Sequence, residues 1–370
     1  MNIRENLRKF IRYVLIYGVG RAIIKSLSRI RPNIKIWKIL KLLHFKKYNY
    51  RIAIIGCGQH SYSSIAYFLT VYTNVKIVFV YDKNSNASSS FARAYNSIDI
   101  DESEIDIFTK LHKPDLVYIS SNHATHTDYA IKFMNYNCDV YIEKPISINV
   151  DQLNILTETK KRTNKQIYAG YNRPFSKSIQ ILKNTLITNR PLTISCFVIG
   201  HMLSDDHWYR DPREGSRIVS NVGHWIDLFV HILFWKDKMI EHINIMVTYT
   251  NKNLPSDNIN ISMTTELEDL FNITFTSRGE TFEGVSEMIN IQQDQNIIKI
   301  DDFRTTKVWK GKLLKKYVHW PKDNGHKNAV LEPFYKKINR SWDEIEYSTK
   351  LMLHIELMIK ELKNNSQFKL

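Results

Sequence analysis

The stretch RIAIIGCGQHS, residues 51–61, runs an unbroken apolar segment into two glycines set one residue apart. Such a short Ile-rich run closed by glycine predicts a strand buried on both faces that hands over to a helix. Gly56 permits the tight turn and Gly58 lets a pyrophosphate approach the backbone at the helix start. Ser61 stands where a third glycine is usual, and is small enough to keep helix and strand close. Four more apolar runs follow: VKIVFVYD (75–82), PDLVYIS (114–120), CDVYIE (138–143) and QIYAGY (166–171). Near-continuous rather than alternating apolarity suits a parallel sheet with crossover helices, the doubly wound nucleotide-binding arrangement of the Rossmann type.

Beyond about residue 190 the pattern changes. LTISCFVIG, NINISM, LFNITFTS and NIIKIDDF alternate with period two, as in Ile259, Ile261, Met263 and then Phe271, Ile273, Phe275. This predicts an antiparallel sheet covered on one face. A helical stretch from Trp342 to Leu362 closes the chain. The fold class expected is therefore α/β, with a parallel-sheet domain at 49–170 followed by an α+β domain at 171–370. Residues 1–48 form a separate extension.

Charge marks that extension. The 370-residue chain has a formal net charge of +15, yet residues 1–50 hold thirteen Lys/Arg and one acid, Glu5, while the rest hold 39 Lys/Arg and 36 Asp/Glu. A nearly neutral body argues against nucleic acid as a partner. In the leader, Arg4, Arg8 and Arg12 recur every four residues, as do Arg21, Lys25 and Arg29, against a stripe of Leu7, Phe10, Ile11, Val14 and Leu15. The spacing predicts an amphipathic helix ending before Pro32, lying either on an anionic membrane surface or on the protein's own body. The second basic apolar patch, IKIWKILKLLHFKK at 34–47, tips the reading towards membrane or partner contact. The three cysteines, Cys57, Cys138 and Cys196, show no CxxC spacing, and the N-terminus does not resemble a cleavable signal. A cytoplasmic protein is expected, at the inner membrane face if the leader binds lipid.

In an open parallel sheet, ligands sit beyond the carboxyl ends of the strands. Asp82 ends the second run, where an acid hydrogen-bonds ribose hydroxyls and favours NAD; the adjacent Lys83 leaves NADP open. Gln59 and His60 follow the glycines, Ser120, Ser121, Asn122 and His123 follow the third run, and Glu143, Lys144 and Pro145 follow the fourth, so all face the same crevice. Hydride transfer from an alcohol needs a base for the hydroxyl proton, and the reverse needs an acid. A lysine desolvated beside a cationic nicotinamide can serve as either, which makes Lys144 the expected proton-transfer group and Glu143 its orienting partner. His224, Asp227 and His231 share one face of an apolar helix. The segment HWYRDPREGSR at 207–217 offers Arg210, Arg213 and Arg217 with aromatics, suited to phosphates, carboxylates and sugar faces. His319 and His326 lack partners at metal-ligand spacing, so no metal site is expected.

From about Tyr50 onward the chain resembles the Gfo/Idh/MocA oxidoreductases, named after glucose-fructose oxidoreductase and inositol dehydrogenase. The likeness rests on GCGQHS (56–61), NHATH (122–126), EKP (143–145), GYNRPF (170–175) and GHWID (223–227). It implies a dinucleotide-binding domain followed by an α+β domain whose large open sheet makes homo-oligomer contacts. It also implies Lys144 and His224 as the catalytic pair and a small-molecule sugar as substrate; Asn172, Arg173, Arg210, Asn221 and Asp227 are the expected substrate-handling residues. Many members carry an aspartate four positions before the histidine; here Ser220 stands there, with Asn221 beside it. That departure sustains a rival reading, a non-catalytic NAD-binding sensor or scaffold. DDFR (301–304) and DNGHK (323–327) resemble a branch associated with surface polysaccharides, which implies a nucleotide sugar or surface-glycan precursor as substrate.

Overall fold

The computed structural model describes residues 3–40, 49–73, 75–238, 240–279, 285–335 and 340–369, so part of the leader's second basic patch, residues 41–47, lies outside the described residues. The chain divides into two compact units, one of Phe10–Gly170 with His326–Arg340, the other of Met1–Lys9, Tyr171–Gly325 and Ser341–Leu370.

The first unit is built on a six-stranded sheet of β1 (Arg51–Ile55), β2 (Lys76–Tyr81), β3 (Ile98–Asp99), β4 (Leu116–Ile119), β5 (Asp139–Ile142) and β6 (Ile167–Ala169). The spatial order is β3-β2-β1-β4-β5-β6, and every pairing is parallel. Ile52 to Ile55, Leu116 to Ile119 and Val140 to Ile142 are buried, as strands covered on both faces must be. The order reverses between β1 and β4, and ligands of such sheets bind at that switch point, beyond the strands' carboxyl ends.

Before Pro32 the leader forms two helices, Ile3–Tyr17 and Val19–Ile30, where one was expected, and a short third helix, Ile36–Leu40, follows. Gly18, at φ 80°, breaks the run in a conformation that other residues adopt only with strain. The second helix packs on the sheet unit: Ala22, Ile24 and Ser28 are buried, and Ile24, Ile36 and Leu40 join the core of Tyr62, Ile65 and Leu69. Arg21 is half-buried, donating to the Ser63 carbonyl and the Ser64 hydroxyl and lying 4.7 Å over the Phe68 ring. The first helix differs. Leu7, Ile11 and Leu15, spaced by four and so on one face, are exposed, and Val19 and Ile23 continue that spacing into the second helix. The segment His326–Arg340 also belongs to this unit, where the Tyr118 hydroxyl donates to Val330 O at 2.7 Å.

The second unit carries a nine-stranded sheet of β7 (Thr193–Ile199), β8 (His242–Tyr249), β9 (Asn258–Thr265), β10 (Leu270–Thr276), β11 (Ser286–Gln293), β12 (Asn296–Asp301), β13 (Thr305–Lys310), β14 (Leu313–Val318) and β15 (Asn365–Lys369). The order is β14-β13-β12-β11-β7-β10-β9-β8-β15, antiparallel except where β7 runs parallel to β10. Alternate residues such as Ile259, Ile261, Met263, Phe271, Ile273 and Phe275 are buried. The helix Gly223–Leu233 covers that face, with Phe229 stacked on Phe271 at 4.4 Å and Trp225 6.3 Å from Phe275. The helix Trp342–Lys360 packs on it in turn, through Ser348 on Asp227 and Glu344 on His231.

Phe271→Ala removes one ring of the stacked pair from a filled core, so it is expected to lower unfolding free energy by about 3–5 kcal/mol. Urea denaturation checks this, and a loss below about 1 kcal/mol would mean that the Phe229 contact is not a packing anchor.

Candidate dinucleotide and proton-transfer site

Gly56 leaves β1 at φ 90°, and a Cβ there would lie 2.4 Å from Ser120 O and 2.5 Å from Ser121 N, so no side chain fits. Around Gly58 the opposite holds: a Cβ would meet nothing within 4 Å. The loop thus has a rigid base against the end of β4 and an open crest. That is the shape a pyrophosphate needs to approach backbone N–H groups at a helix start. The helix opens with a π turn, Ser61–Ile65, before the α-helical Ala66–Tyr72. Ser61 is buried, donating to Gly56 O and pairing with the Ser120 hydroxyl, so the serine in the third glycine's place bonds the loop to the neighbouring strand end.

Asp82 lies where the sequence places it, directly after β2. Its carboxylate accepts from Cys57 N at 2.7 Å and from Asn84 N at 2.8 Å. Asn84 caps the next helix, accepting from Asn86 N and Ala87 N, while Lys83 is exposed. The residues present fit an adenine dinucleotide: Gly56, Gly58, Gln59 and His60 in the loop for the phosphates, Asp82 for the ribose, and the β4 and β5 ends for the nicotinamide side.

Beyond β4, Thr125 ties the turn together, its hydroxyl lying 2.8 Å from the Ser121 hydroxyl, 3.0 Å from Asn122 O and 3.0 Å from Asn122 Oδ1. His123 is buried. His126 is the residue that sequence reasoning passed over, although it closes the quoted NHATH motif. Its Nδ1 is 2.7 Å from Pro145 O and its Nε2 is 3.1 Å from Ser121 O, so one buried ring spans the turns after β4 and β5. Burial pushes its pKa below the usual imidazole range.

Glu143 gathers the polar contacts at the end of β5. His60 Nε2 lies 3.0 Å from Oε1, the Tyr141 hydroxyl donates to Oε1 at 3.3 Å, and the Lys144 backbone N–H donates to Oε2 at 3.3 Å. Burial disfavours the charged form, but the electrostatic and hydrogen-bonding influence of His60, with Lys144 and His126 nearby, holds the carboxyl below the usual glutamate range. Glu143 therefore fixes the backbone from which Lys144 projects, and Lys144 is half-buried. The His60–Glu143 pair joins two motifs far apart in sequence, and spacing carried no sign of it.

In the other unit, Asn172 is buried and donates to Asn324 O at 2.6 Å. Arg173 is buried too, 3.1 Å from Glu287 and 4.8 Å over the Trp225 ring, whose N–H donates to the same carboxylate at 2.8 Å. Asp227 is buried and accepts from the Ser348 hydroxyl at 3.0 Å. Arg210 and Arg217 share Asp257, at 3.0 and 2.9 Å, and Arg217 also reaches Asn221 Oδ1 at 3.3 Å. Ser220, inside the π turn Ile218–Val222, donates to Ser216 O at 3.0 Å. His224 begins the helix Gly223–Leu233, half-buried, with its ring edge-on to Tyr171 at 6.0 Å. The described residues contain no group of three or more His, Cys, Asp or Glu placed to hold a metal ion.

Parts of the chain are similar to known proteins. Residues 50–171 match the model of an oxidoreductase family with an NAD-binding Rossmann fold, Gfo/Idh/MocA. Among curated relatives, the chain is 27% identical over 175 residues to Oxidoreductase P35 of Formosa agariphila, 46% of this chain and 51% of that protein. It is 24% identical over 188 residues to Glucose-6-phosphate 3-dehydrogenase of Bacillus subtilis, 50% of this chain and 51% of that protein. The chain thus spans about half the length of these relatives. Solved structures match in fold: a dehydrogenase from Clostridium difficile at TM-score 0.68 and 18% identity, covering 83% of this chain and 99% of that one, and UDP-N-acetylglucosamine 3-dehydrogenase from Acidithiobacillus ferrooxidans at TM-score 0.68 and 14% identity, covering 86% and 98%. Residues 50–171 are thus similar to the NAD-binding Rossmann domain of the Gfo/Idh/MocA oxidoreductases.

Proposed function

We propose that the protein is an NAD(P)-dependent oxidoreductase acting at a CH–OH or keto group of a sugar, with Lys144 as the proton-transfer residue. The observation that carries this is the setting of Lys144: half-buried, directly after β5 at the carboxyl edge of the parallel sheet, its backbone N–H held by a Glu143 that His60 and Tyr141 fix in turn. The bound nicotinamide supplies hydride transfer. Lys144 takes the hydroxyl proton in oxidation and returns it in reduction. Asp82 at the end of β2 favours NAD, and exposed Lys83 keeps NADP within reach. His224, at the first turn of its helix, is proposed as a second proton-transfer residue. Asn172, Arg173, Arg210, Asn221 and Asp227 are proposed to shape and support substrate binding.

For the substrate, a nucleotide sugar or surface-glycan precursor is the preferred class. The name of one structural neighbour, UDP-N-acetylglucosamine 3-dehydrogenase, supports a nucleotide sugar, and that of one relative, Glucose-6-phosphate 3-dehydrogenase, supports a sugar carbinol more generally. The rival reading, an NAD-binding sensor without turnover, is favoured by Ser220, whose hydroxyl cannot act as a carboxylate base and is bonded back to Ser216 O.

The leader supports a site of action at the inner face of a membrane. No helix among the described residues is long and apolar enough to cross one. The exposed stripe of Leu7, Ile11 and Leu15, next to exposed Arg8, Lys9 and Arg12 in a segment with one acid, suits an anionic bilayer surface.

Two experiments test these readings. Nicotinamide absorbance followed against a panel of nucleotide sugars and sugar phosphates should show turnover that falls about a hundredfold or more in Lys144→Ala, with dinucleotide binding retained. Dinucleotide binding without turnover on any panel member would favour the sensor. For the leader, the combined Leu7→Ser, Ile11→Ser and Leu15→Ser variant should lose cosedimentation with phosphatidylserine vesicles while keeping its melting temperature, and undiminished binding would remove the membrane reading.

A further inference from the structure

The leader also reaches the dinucleotide loop through Arg31. This residue ends the helix Val19–Ile30 in a left-handed cap at φ 51°, which turns its side chain off the helix. Its guanidinium then serves four elements. Nε donates to Ser28 O at 3.0 Å, Nη1 to Ala87 O at 3.4 Å and to the Ser90 hydroxyl at 3.3 Å, and Nη2 to Cys57 O at 2.6 Å, while the group lies 4.4 Å over the Tyr62 ring. Cys57 is the residue between the two glycines of the loop. Its N–H is held by Asp82 at 2.7 Å and its C=O by Arg31, so a charged group of opposite sign grips each polar end of the residue. Gly58, with open space where a side chain would be, follows directly.

We infer that Arg31 is a positioning residue for the cofactor, and that the leader helix is thereby a working part of the dinucleotide site although it lies outside the family-matched residues 50–171. A loop flanked by two glycines has wide backbone freedom, and a phosphate-binding loop must present its N–H groups in one orientation. Arg31 removes that freedom before the cofactor arrives, which raises affinity by preorganisation. Only a planar guanidinium can bond acceptors on the loop, the helix Ser85–Tyr95 and its own helix while stacking on Tyr62; a lysine ammonium cannot reproduce that fork.

This inference rests on the NAD(P)-binding reading of the loop. The test titrates the full chain and its Arg31→Ala, Arg31→Gln and Arg31→Lys variants with NADH and with NADPH by nucleotide fluorescence, alongside thermal melts. Loss of a charge-assisted hydrogen bond should raise Kd about tenfold for both dinucleotides in Arg31→Ala and Arg31→Gln. Arg31→Lys should recover little, and methylguanidinium added to Arg31→Ala should restore affinity. In turnover, the KM for the dinucleotide should rise with little change in kcat. A lowered melting temperature with unchanged Kd would make Arg31 a structural latch only and overturn the inference. A loss confined to NADPH would overturn it in favour of direct contact with the 2′-phosphate. If the unaltered chain binds neither dinucleotide, the cofactor reading of the loop falls and takes this one with it, an outcome distinct from tight binding that is indifferent to Arg31.

Discussion

Where β1 ends, the backbone passes so close to the end of β4 that the residue there can carry no side chain. A Cβ on Gly56 would lie within 2.4 Å of the Ser120 carbonyl, and the φ of 90° is a second reason for glycine. This close approach fixes glycine at the switch point, and the loop's other contacts are made beside it. Ser61 can bond both Gly56 O and the Ser120 hydroxyl only because the loop is drawn against that strand end. Asp82 can reach Cys57 N only because the loop folds back over β2. The open crest at Gly58 is the complement of this closed base.

A second constraint is electrostatic. Glu143 places a carboxylate in a largely buried position, and such a charge persists only with close partners. His60, the Tyr141 hydroxyl and the Lys144 N–H provide them. The same contacts connect the glycine loop to the end of β5, so the proposed phosphate loop and the proposed proton-transfer lysine share one network. His126, bridging Ser121 O and Pro145 O, braces the remaining side of that network.

In the other unit, charges are neutralised internally. Arg173 pairs with Glu287 under the Trp225 ring, Lys236 with Asp269 at 2.7 Å, and Arg210 and Arg217 share Asp257. Removing one member of such a pair costs more than the pair contributes, because the survivor stays buried and uncompensated. Within the 207–217 segment, Arg210 and Arg217 are therefore held in shape by Asp257.

Much of the architecture was legible in the sequence. Uninterrupted apolar runs marked the parallel strands, period-two alternation marked the antiparallel ones, and the glycine pair with an acid at the end of β2 marked the nucleotide loop, because each pattern is a local consequence of which faces are buried. β8 and β11 carry the same alternation as the strands named from sequence. β3, β14 and β15 carry no comparable signal: β3 is two exposed residues, β14 is almost wholly exposed, and only Phe368 of β15 is buried, so backbone pairing alone makes them strands. Sequence by itself determined which residue types stand at the strand ends, and hence that a glycine loop, an acid and a lysine lie along one edge of a sheet. Tertiary structure alone decided which groups share a contact, His60 with Glu143, Arg31 with Cys57, His126 with Pro145. Those partners are distant in sequence, and their pairing depends on how helices and loops pack, which no local periodicity records.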